Sequence, residues 1–511
     1  MRKKWFRVLF AQRVWVALLI ILQAAFFIHL ISTGSAVSQQ LNHLLTGLSL
    51  VASLYIIAKK DKGAYKLTWV FLILMFPVFG GALYLLYTFQ TSTRRFEKSV
   101  NKVEEHIRPL YSLPQDGYQK ASESLPHRAS QIRYLQNFAG FPVYDQTRTA
   151  YYSPGEAFFE ALIPDLESAE HYIFLEFFIV QEGKMWDTIL DILIRKAREG
   201  VTVRLIYDDM GCFLTLPKDY KKQLAQHGIE CIVFNPFRPL MSVVQNNRDH
   251  RKIASIDGKV AYTGGINLAD EYINAYEKHG HWKDSALRVE GKAAWSLTLI
   301  FLEMWALCRS KQEDFEAFYP WKDAPCHIQT DGFVQPYADS PMDTENVGEH
   351  VYLQIINSAK DYVYITTPYL IIDDSMLSAL ILSAKSGVDV RIITPRIWDK
   401  WLVHMTTRSY YRELTRAGVK IYEYTRGFIH AKTFVSDDNI ATVGTTNLDF
   451  RSLYLHFECG VMLMENNTVH SVKDDFIQTL DSCQLITQED CKAGVLVRLF
   501  QEILRLFAPL L

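Results

Sequence analysis

The sequence predicts an α/β protein built from two similar domains about a pseudo-two-fold axis, preceded by apolar helices. Three observations carry that prediction. A polar pattern, His-x-Lys-x4-Asp-x6-Gly followed by Asn, occurs at His250, Lys252, Asp257, Gly264 and Asn267, and again at His430, Lys432, Asp437, Gly444 and Asn447. The order of elements ahead of each copy also repeats. Finally, the first ninety residues contain long stretches without charge. The resulting division is a membrane anchor over 1–95, a connector over 96–149, α/β domains over 150–325 and 326–490, and an amphipathic helix over 491–511.

Val14 to Ala58 holds no Lys, Arg, Asp or Glu, which is too long for a signal-peptide core and enough for two crossings. A third apolar stretch follows the basic turn at Lys59 to Lys66, so candidate spans lie at 14–32, 41–58 and 67–89. Arg2, Lys3, Lys4, Arg7 and Arg13 place the N-terminus in the cytoplasm. Arg94, Arg95, Lys98 and Lys102 argue that the end after the third stretch is cytoplasmic too, and Pro77, Gly80 and Gly81 would let that stretch bend back without crossing. Both topologies stand on sequence, and so does the side of the membrane that carries the rest.

The connector, with Pro109, Pro114 and Pro126, is mixed and polar with some helix. Beyond it, ALIPDLESAEHYIFLEFFIV at 161–180 is echoed by HVYLQIINSAKDYVYITTPYL at 350–370, each an amphipathic helix running into a strand. EGVTVRLIYDD and SGVDVRIITPR, at 199–209 and 386–396, repeat a helix, a glycine stop and a strand. AQHGIECIVFN and TRAGVKIYEYT repeat the move once more. Each half therefore reads β-α-β-α-β before its motif.

Apolar neighbours make each motif a short buried strand, on which residues two apart share a face. His250 projects with Lys252, and His430 with Lys432. An imidazole can attack phosphorus or protonate a departing oxygen, and an ammonium beside it holds the phosphoryl oxygens as charge shifts. The small residues Gly264, Gly265 and Gly444, with Thr445, let backbone come close to a ligand, and Asn267 and Asn447 can donate to a phosphate oxygen. Displacing an alcohol from a phosphodiester through a covalent intermediate needs a nucleophile and an acid on opposite sides of phosphorus. Two half-sites facing one another supply both.

The doubled pattern resembles the paired signature of the phospholipase D superfamily, and the resemblance implies two phospholipase D-like α/β domains. The apolar N-terminus, LTWVFLILMFPVFGGALYLLY, GTTNLDFRSLYLHFE and the Leu/Phe-rich C-terminus narrow it to bacterial cardiolipin synthases. It implies a phosphatidyltransferase of the bacterial cell membrane, multi-pass, that acts on phosphatidylglycerol and membrane lipid. The motif places His250, Lys252, Asp257, His430, Lys432 and Asp437 in the catalytic set, and the resemblance makes Asp257 and Asp437 braces of the motif rather than proton carriers. Asn267 and Asn447 are the substrate-binding candidates. His250 as nucleophile and His430 as acid, then base, also follow from the resemblance.

An imidazole that bonds covalently needs an acceptor on its other nitrogen. Glu458, at the spacing from His430 that the resemblance implies, and Asp284, which a surface charge would also explain, are the histidine-orienting candidates. Glu176 reads as a buried, salt-bridged carboxylate; Asp208 and Asp209, at a strand end, read as ligand residues or as loop caps. The helix at 495–511 lies in a membrane interface or packs on the body.

Lys plus Arg total 54 against 56 Asp plus Glu, so no basic field points to nucleic acid, and none is expected as a partner. Seven scattered cysteines without CxxC spacing support neither a zinc site nor a disulfide framework. No cofactor or metal is expected, because the lysines supply the charge, and protein partners are unknown from sequence. The alternatives left open are a phospholipase D-type hydrolase, a phosphatidyltransferase with another acceptor, and a membrane protein with an inactive site.

Overall fold

The structure, a computed structural model, describes residues 36–511 apart from 61, 77–79, 82–83, 85–90, 112–116, 237–242, 310–312, 323–324, 330, 344 and 511, and also residues 21, 25 and 28. The described chain separates into a body of Lys98–Pro236 with Arg248–Gln501 and a smaller unit that includes the N-terminal helices and Glu502–Leu510.

In the body, the first half contributes β1 (Thr147–Tyr152), β2 (Tyr172–Phe177), β3 (Thr202–Asp208), β4 (Glu230–Phe234), β5 (Arg248–Asp249), β6 (Lys252–Ile256), β7 (Val260–Gly264), β8 (His281–Lys283) and β9 (Ala286–Gly291). The second half contributes β10 (Phe333–Asp339), β11 (Tyr362–Thr366), β12 (Asp389–Pro395), β13 (Lys420–Tyr424), β14 (Gly427–Ile429), β15 (Thr433–Ser436), β16 (Ile440–Gly444), β17 (His456–Met464) and β18 (Cys483–Ile486). The sheets run β1-β9-β7-β6-β2-β3-β4 and β10-β17-β16-β15-β11-β12-β13-β18, the same order with one added edge strand. In both, the three strands that follow helices are parallel and the motif strands are antiparallel.

The helices follow from their apolar stripes. In Lys184–Arg198, Met185, Trp186, Ile189, Ile192 and Leu193 recur at helical spacing and all are buried, while Arg195, Lys196 and Arg198 sit in the last turn, where the helix dipole favours cations. The matching helix Asp374–Lys385 is capped by Asp373, whose side chain accepts from Met376 N at 2.9 Å. The expected β-α-β-α-β order ahead of each motif is present in both halves.

The connector is more helical than its composition suggested, with helices over Thr91–Tyr111, Gly117–Ser124 and Ala129–Arg133. The candidate span 14–32 lies almost wholly outside the described residues. The stretch 41–58 falls within the helix Ala36–Ala58.

The expectation of one straight span over 67–89 is corrected. The helix Gly63–Met75 ends as Phe76 leaves helical geometry at φ −132° and ψ 76°. The sequence reason is Pro77, whose ring disfavours helical backbone in the residue before it. Beyond the break, a Cβ on Gly80 would come 2.5 Å from Leu72 O, and the Tyr84 ring packs 5.4 Å from Trp69. Fifteen residues of straight helix would separate those rings by roughly 22 Å. The segment therefore doubles back, and among the described residues no helix is long and apolar enough to cross a membrane.

Candidate active site

Two short parallel ladders join the halves and set the site. β5 pairs with the start of β17, Arg248 opposite His456 and Asp249 opposite Phe457. β14 pairs with β8, Gly427 opposite His281 and Ile429 opposite Lys283. Each ladder continues by one bond, His250 N to Phe457 O at 3.0 Å and His430 N to Lys283 O at 2.7 Å. Each motif histidine thus leaves its own strand beside the other half's strand.

The consequence is an exchange of orienting carboxylates. His250 Nδ1 lies 2.9 and 3.0 Å from the two oxygens of Glu458, and His430 Nδ1 lies 2.7 Å from Asp284 Oδ2. The expectation that Glu458 serves His430 is corrected: each carboxylate reaches across to the histidine of the other half. The surface-charge reading of Asp284 also falls, since both carboxylates are completely buried. With Nδ1–H given to a carboxylate, Nε2 keeps its lone pair for phosphorus or for a proton.

The lysines are as buried as core residues. Lys252 Nζ donates to His250 O at 2.5 Å; Lys432 Nζ donates to His430 O and lies 2.9 Å from His430 Nδ1. Burial, then Asp284 and Glu458 in opposition, leave Lys432 at about 7, and burial brings Lys252 down to about 8. His430 is brought down to about 4 by burial and Lys432, and His250 well below its usual range by burial, Lys252, Lys432 and His430. The cationic groups of one half therefore lower those of the other, Lys432 and His430 acting on His250 and Lys252 acting on His430 and Lys432. A bound anion would relieve that repulsion.

Asp257 and Asp437, counted with the catalytic set by the motif, touch no reacting group. Both sit in left-handed backbone, at φ 50° and 51°, just past their motif strands. Asp257 accepts from the backbone N–H groups of Glu170, His171 and Tyr172 at 2.7–2.8 Å, and Asp437 from those of Lys360, Asp361 and Tyr362 at 2.8–3.0 Å. They tie each motif to the start of the neighbouring strand, the bracing role that the resemblance implied.

The glycines are also reassigned. A Cβ on Gly264 would meet Ser285 O at 2.3 Å, one on Gly265 would meet Asp284 Oδ1 at 2.0 Å, and one on Gly444 would meet Cys459 O at 2.6 Å. What comes close is the protein's own strand bearing the orienting carboxylate. Thr445 stands where Gly265 does, and its hydroxyl donates to Glu458. Asn267 accepts from Ile179 N at 3.0 Å and donates to the Tyr272 hydroxyl at 2.7 Å, which leaves one N–H; Asn447 Oδ1 is buried without a hydrogen bond.

Asp208 proves to be a cap and an anchor. It accepts from Met210 N at 2.8 Å and holds Arg248, two residues before His250, at 2.6 Å. Glu176 is buried and 3.8 Å from the Arg251 guanidinium, as the salt-bridged reading expected. Missed in the sequence were the residues that wall the imidazoles. Trp282 and Tyr272 rings lie 5.5 and 5.7 Å from His430, and Phe178 and His456 lie 5.1 and 5.6 Å from His250. Period two would have found two of them, since Trp282 and His456 each stand two residues before an orienting carboxylate.

Comparison with known proteins places the chain in a family. The family described as "Cardiolipin synthase, PLD-like domain" matches residues 162–294 and 352–480, and "Phospholipase D-nuclease N-terminal" matches 47–87. The chain is 35% identical to a cardiolipin synthase of Halalkalibacterium halodurans, over 87% of this chain and 88% of that one. It is 35% identical to cardiolipin synthase 2 of Bacillus anthracis, over 87% and 86%. A protein of Streptococcus mutans without an assigned function is 44% identical over 90% and 99%. Among solved structures, phosphatidylserine synthase of Haemophilus influenzae superposes with a TM-score of 0.55 at 15% identity, covering 74% of this chain and 97% of that one, a likeness of fold. With two matched domains, two intact motifs and relatives aligned along most of its length, this chain belongs to the cardiolipin synthase family of the phospholipase D superfamily.

Proposed function

We propose that this protein transfers a phosphatidyl group from one phosphatidylglycerol to another, giving cardiolipin and glycerol. His250 Nε2 attacks phosphorus while its Nδ1–H is held by Glu458, and the bond from phosphorus to the glycerol oxygen breaks. His430 gives its Nε2 proton to that oxygen, and glycerol leaves. The primary hydroxyl of a second phosphatidylglycerol then passes its proton to His430 and bonds to phosphorus, releasing His250. Lys252 and Lys432 hold the phosphoryl oxygens, with Asn267 and Asn447 beside them. The observation that carries this reading is the pair of crossed histidine–carboxylate bonds, each of which ties the buried imidazole of one half to a buried carboxylate of the other.

The protein works at a bacterial membrane in this reading, with its apolar N-terminal helices in the bilayer. Leu44, Leu48, Val51, Leu54 and Ile57 of the helix Ala36–Ala58 are each more than half exposed, an apolar surface suited to lipid. In the body, Met210, Phe213 and Leu214 follow β3, and Ile397, Trp398, Trp401 and Leu402 follow β12, all exposed. These equivalent positions at strand ends would let the rim of the site meet lipid from both halves.

The test is incubation of purified protein with phosphatidylglycerol labelled in its phosphatidyl part, with product identification. Cardiolipin with an equal amount of free glycerol is expected. Phosphatidic acid in its place would mean that water is the acceptor, and would overturn the transfer.

A further inference from the structure

Glu458 faces two imidazoles. Its Oε1 lies 2.9 Å from His250 Nδ1 and 3.8 Å from Nδ1 of His456. Both ring nitrogens of His456 are buried, and neither makes a hydrogen bond. The transfer chemistry has no use for this third ring. The pseudo-two-fold does not require it either, because the matching position two residues before Asp284 is Trp282, whose indole nitrogen can only donate. His456 thus brings two buried ring nitrogens that make no hydrogen bond, beside Glu458 and in one half-site.

We propose that His250, His456 and Glu458 form a site for a divalent transition ion of the zinc type, and that an ion there arrests the enzyme. The three ligand atoms lie within 4.8 Å of one another. The two edges measured at the carboxylate, 2.9 and 3.8 Å, bracket the roughly 3.3 Å edge of a tetrahedron with bonds of ~2.0 Å, so small side-chain movements complete it. Two imidazoles and one carboxylate suit zinc and cobalt, whereas magnesium and calcium prefer oxygen throughout. The Thr445 hydroxyl already holds the other oxygen of Glu458, the kind of outer contact that orients a metal ligand. On binding, the ion takes the place of the His250 Nδ1 proton, that proton passes through solvent to Nε2 so that the imidazole stays neutral, and no electron is transferred. His250 then carries its hydrogen on Nε2 and has no lone pair there to give to phosphorus. Among the described residues, Asp284 and His430 have no third His, Cys, Asp or Glu beside them and form no matching site.

The test uses the full-length protein, freed of metal with a chelator and held in phosphatidylglycerol vesicles, titrated with Co2+ and with Zn2+. One equivalent of Co2+ is expected to give the visible absorption of a tetrahedral ion, which Zn2+ bleaches, and Zn2+ is expected to stop transfer over the same concentrations. His456→Asn and His456→Gln should each weaken Co2+ binding by about tenfold or more and raise the half-inhibiting Zn2+ concentration by the same factor, each judged against its own metal-free rate. Asp284→Asn should leave the cobalt spectrum as in the wild type, and Mg2+ should neither compete nor inhibit. The proposal is overturned if the wild type gives no such spectrum, if both His456 variants bind cobalt as the wild type does, or if bound zinc leaves transfer running. The spectrum does not depend on which lipid is transferred, so its failure is distinct from a failure of cardiolipin synthesis.

Discussion

At the scale of single residues, the crossed carboxylates separate two roles that a single activity assay would merge. Expelling glycerol needs an acid, but expelling nitrophenolate from a lipid phosphodiester does not. With such a substrate, His430→Ala and Asp284→Asn should still form a phosphoenzyme, whereas His250→Ala should form none and Glu458→Gln should form it about 10²-fold more slowly or worse. The readout is acid-labile phosphate on histidine; label on His430 would reverse the assignment. The lysines set a second expectation. An ammonium lowered to about 7 or 8 carries its charge only below that pH, so the charge on Lys432, then on Lys252, is lost as pH rises through that range. Because kcat/KM reports the free enzyme, it should fall on the alkaline side from about pH 7, and Lys432→Arg should move that limb upward while lowering the plateau. A profile level to pH 9 would show that neither ammonium is needed.

At the scale of elements, the strands were legible because their signals are local. Period two put His250 with Lys252 and His430 with Lys432, and glycine stops marked the helix ends before β3 and β12. The carboxylate partners were not legible, because spacing along the chain measures distance within a half, while β5 with β17 and β14 with β8 are pairings across halves. The third apolar stretch was legible in part, since Pro77 and Gly80 marked the bend that hydropathy alone passes over. Hydropathy sums over Phe76 and Pro77, whereas the helix ends at Phe76 and Tyr84 returns to pack on Trp69. The position after each motif glycine, Gly265 or Thr445, packs on an orienting carboxylate, and it yields a prediction for that element. Gly265→Ala would drive a methyl against Asp284, so it should cost about 1–3 kcal/mol in stability by denaturant unfolding and greatly reduce transfer. Thr445→Ser, which keeps the hydroxyl on Glu458, should stay near wild-type activity. The exposed rim can be tested in the same way. Trp398→Ala with Trp401→Ala should slow transfer on vesicles by about tenfold or more, yet leave rates on dispersed short-chain phosphatidylglycerol nearly unchanged; equal loss on both would place the tryptophans in folding or chemistry rather than in lipid contact.

At the scale of the whole molecule, duplication explains why the fold class could be read early, and exchange explains why neither half can work alone. A histidine without the other half's carboxylate has no fixed tautomer, and a motif strand without the other half's ladder loses its last backbone bonds, such as His250 N to Phe457 O. These contacts lie far in sequence from the connection between halves, which runs through exposed Lys322 and Pro325 before β10. Exposed chain of this kind tolerates insertion and cutting, because few contacts hold it. A protease site inserted between Lys322 and Pro325 should therefore allow the halves to be severed with most of the transfer activity kept. The two pieces should still elute together in gel filtration, and they should separate only in denaturant, because the crossed strands and buried ion pairs bind them rather than the peptide link. If the cut protein fell into two pieces under native conditions and activity vanished with the cut, the exchange of carboxylates would be too weak to define one shared site.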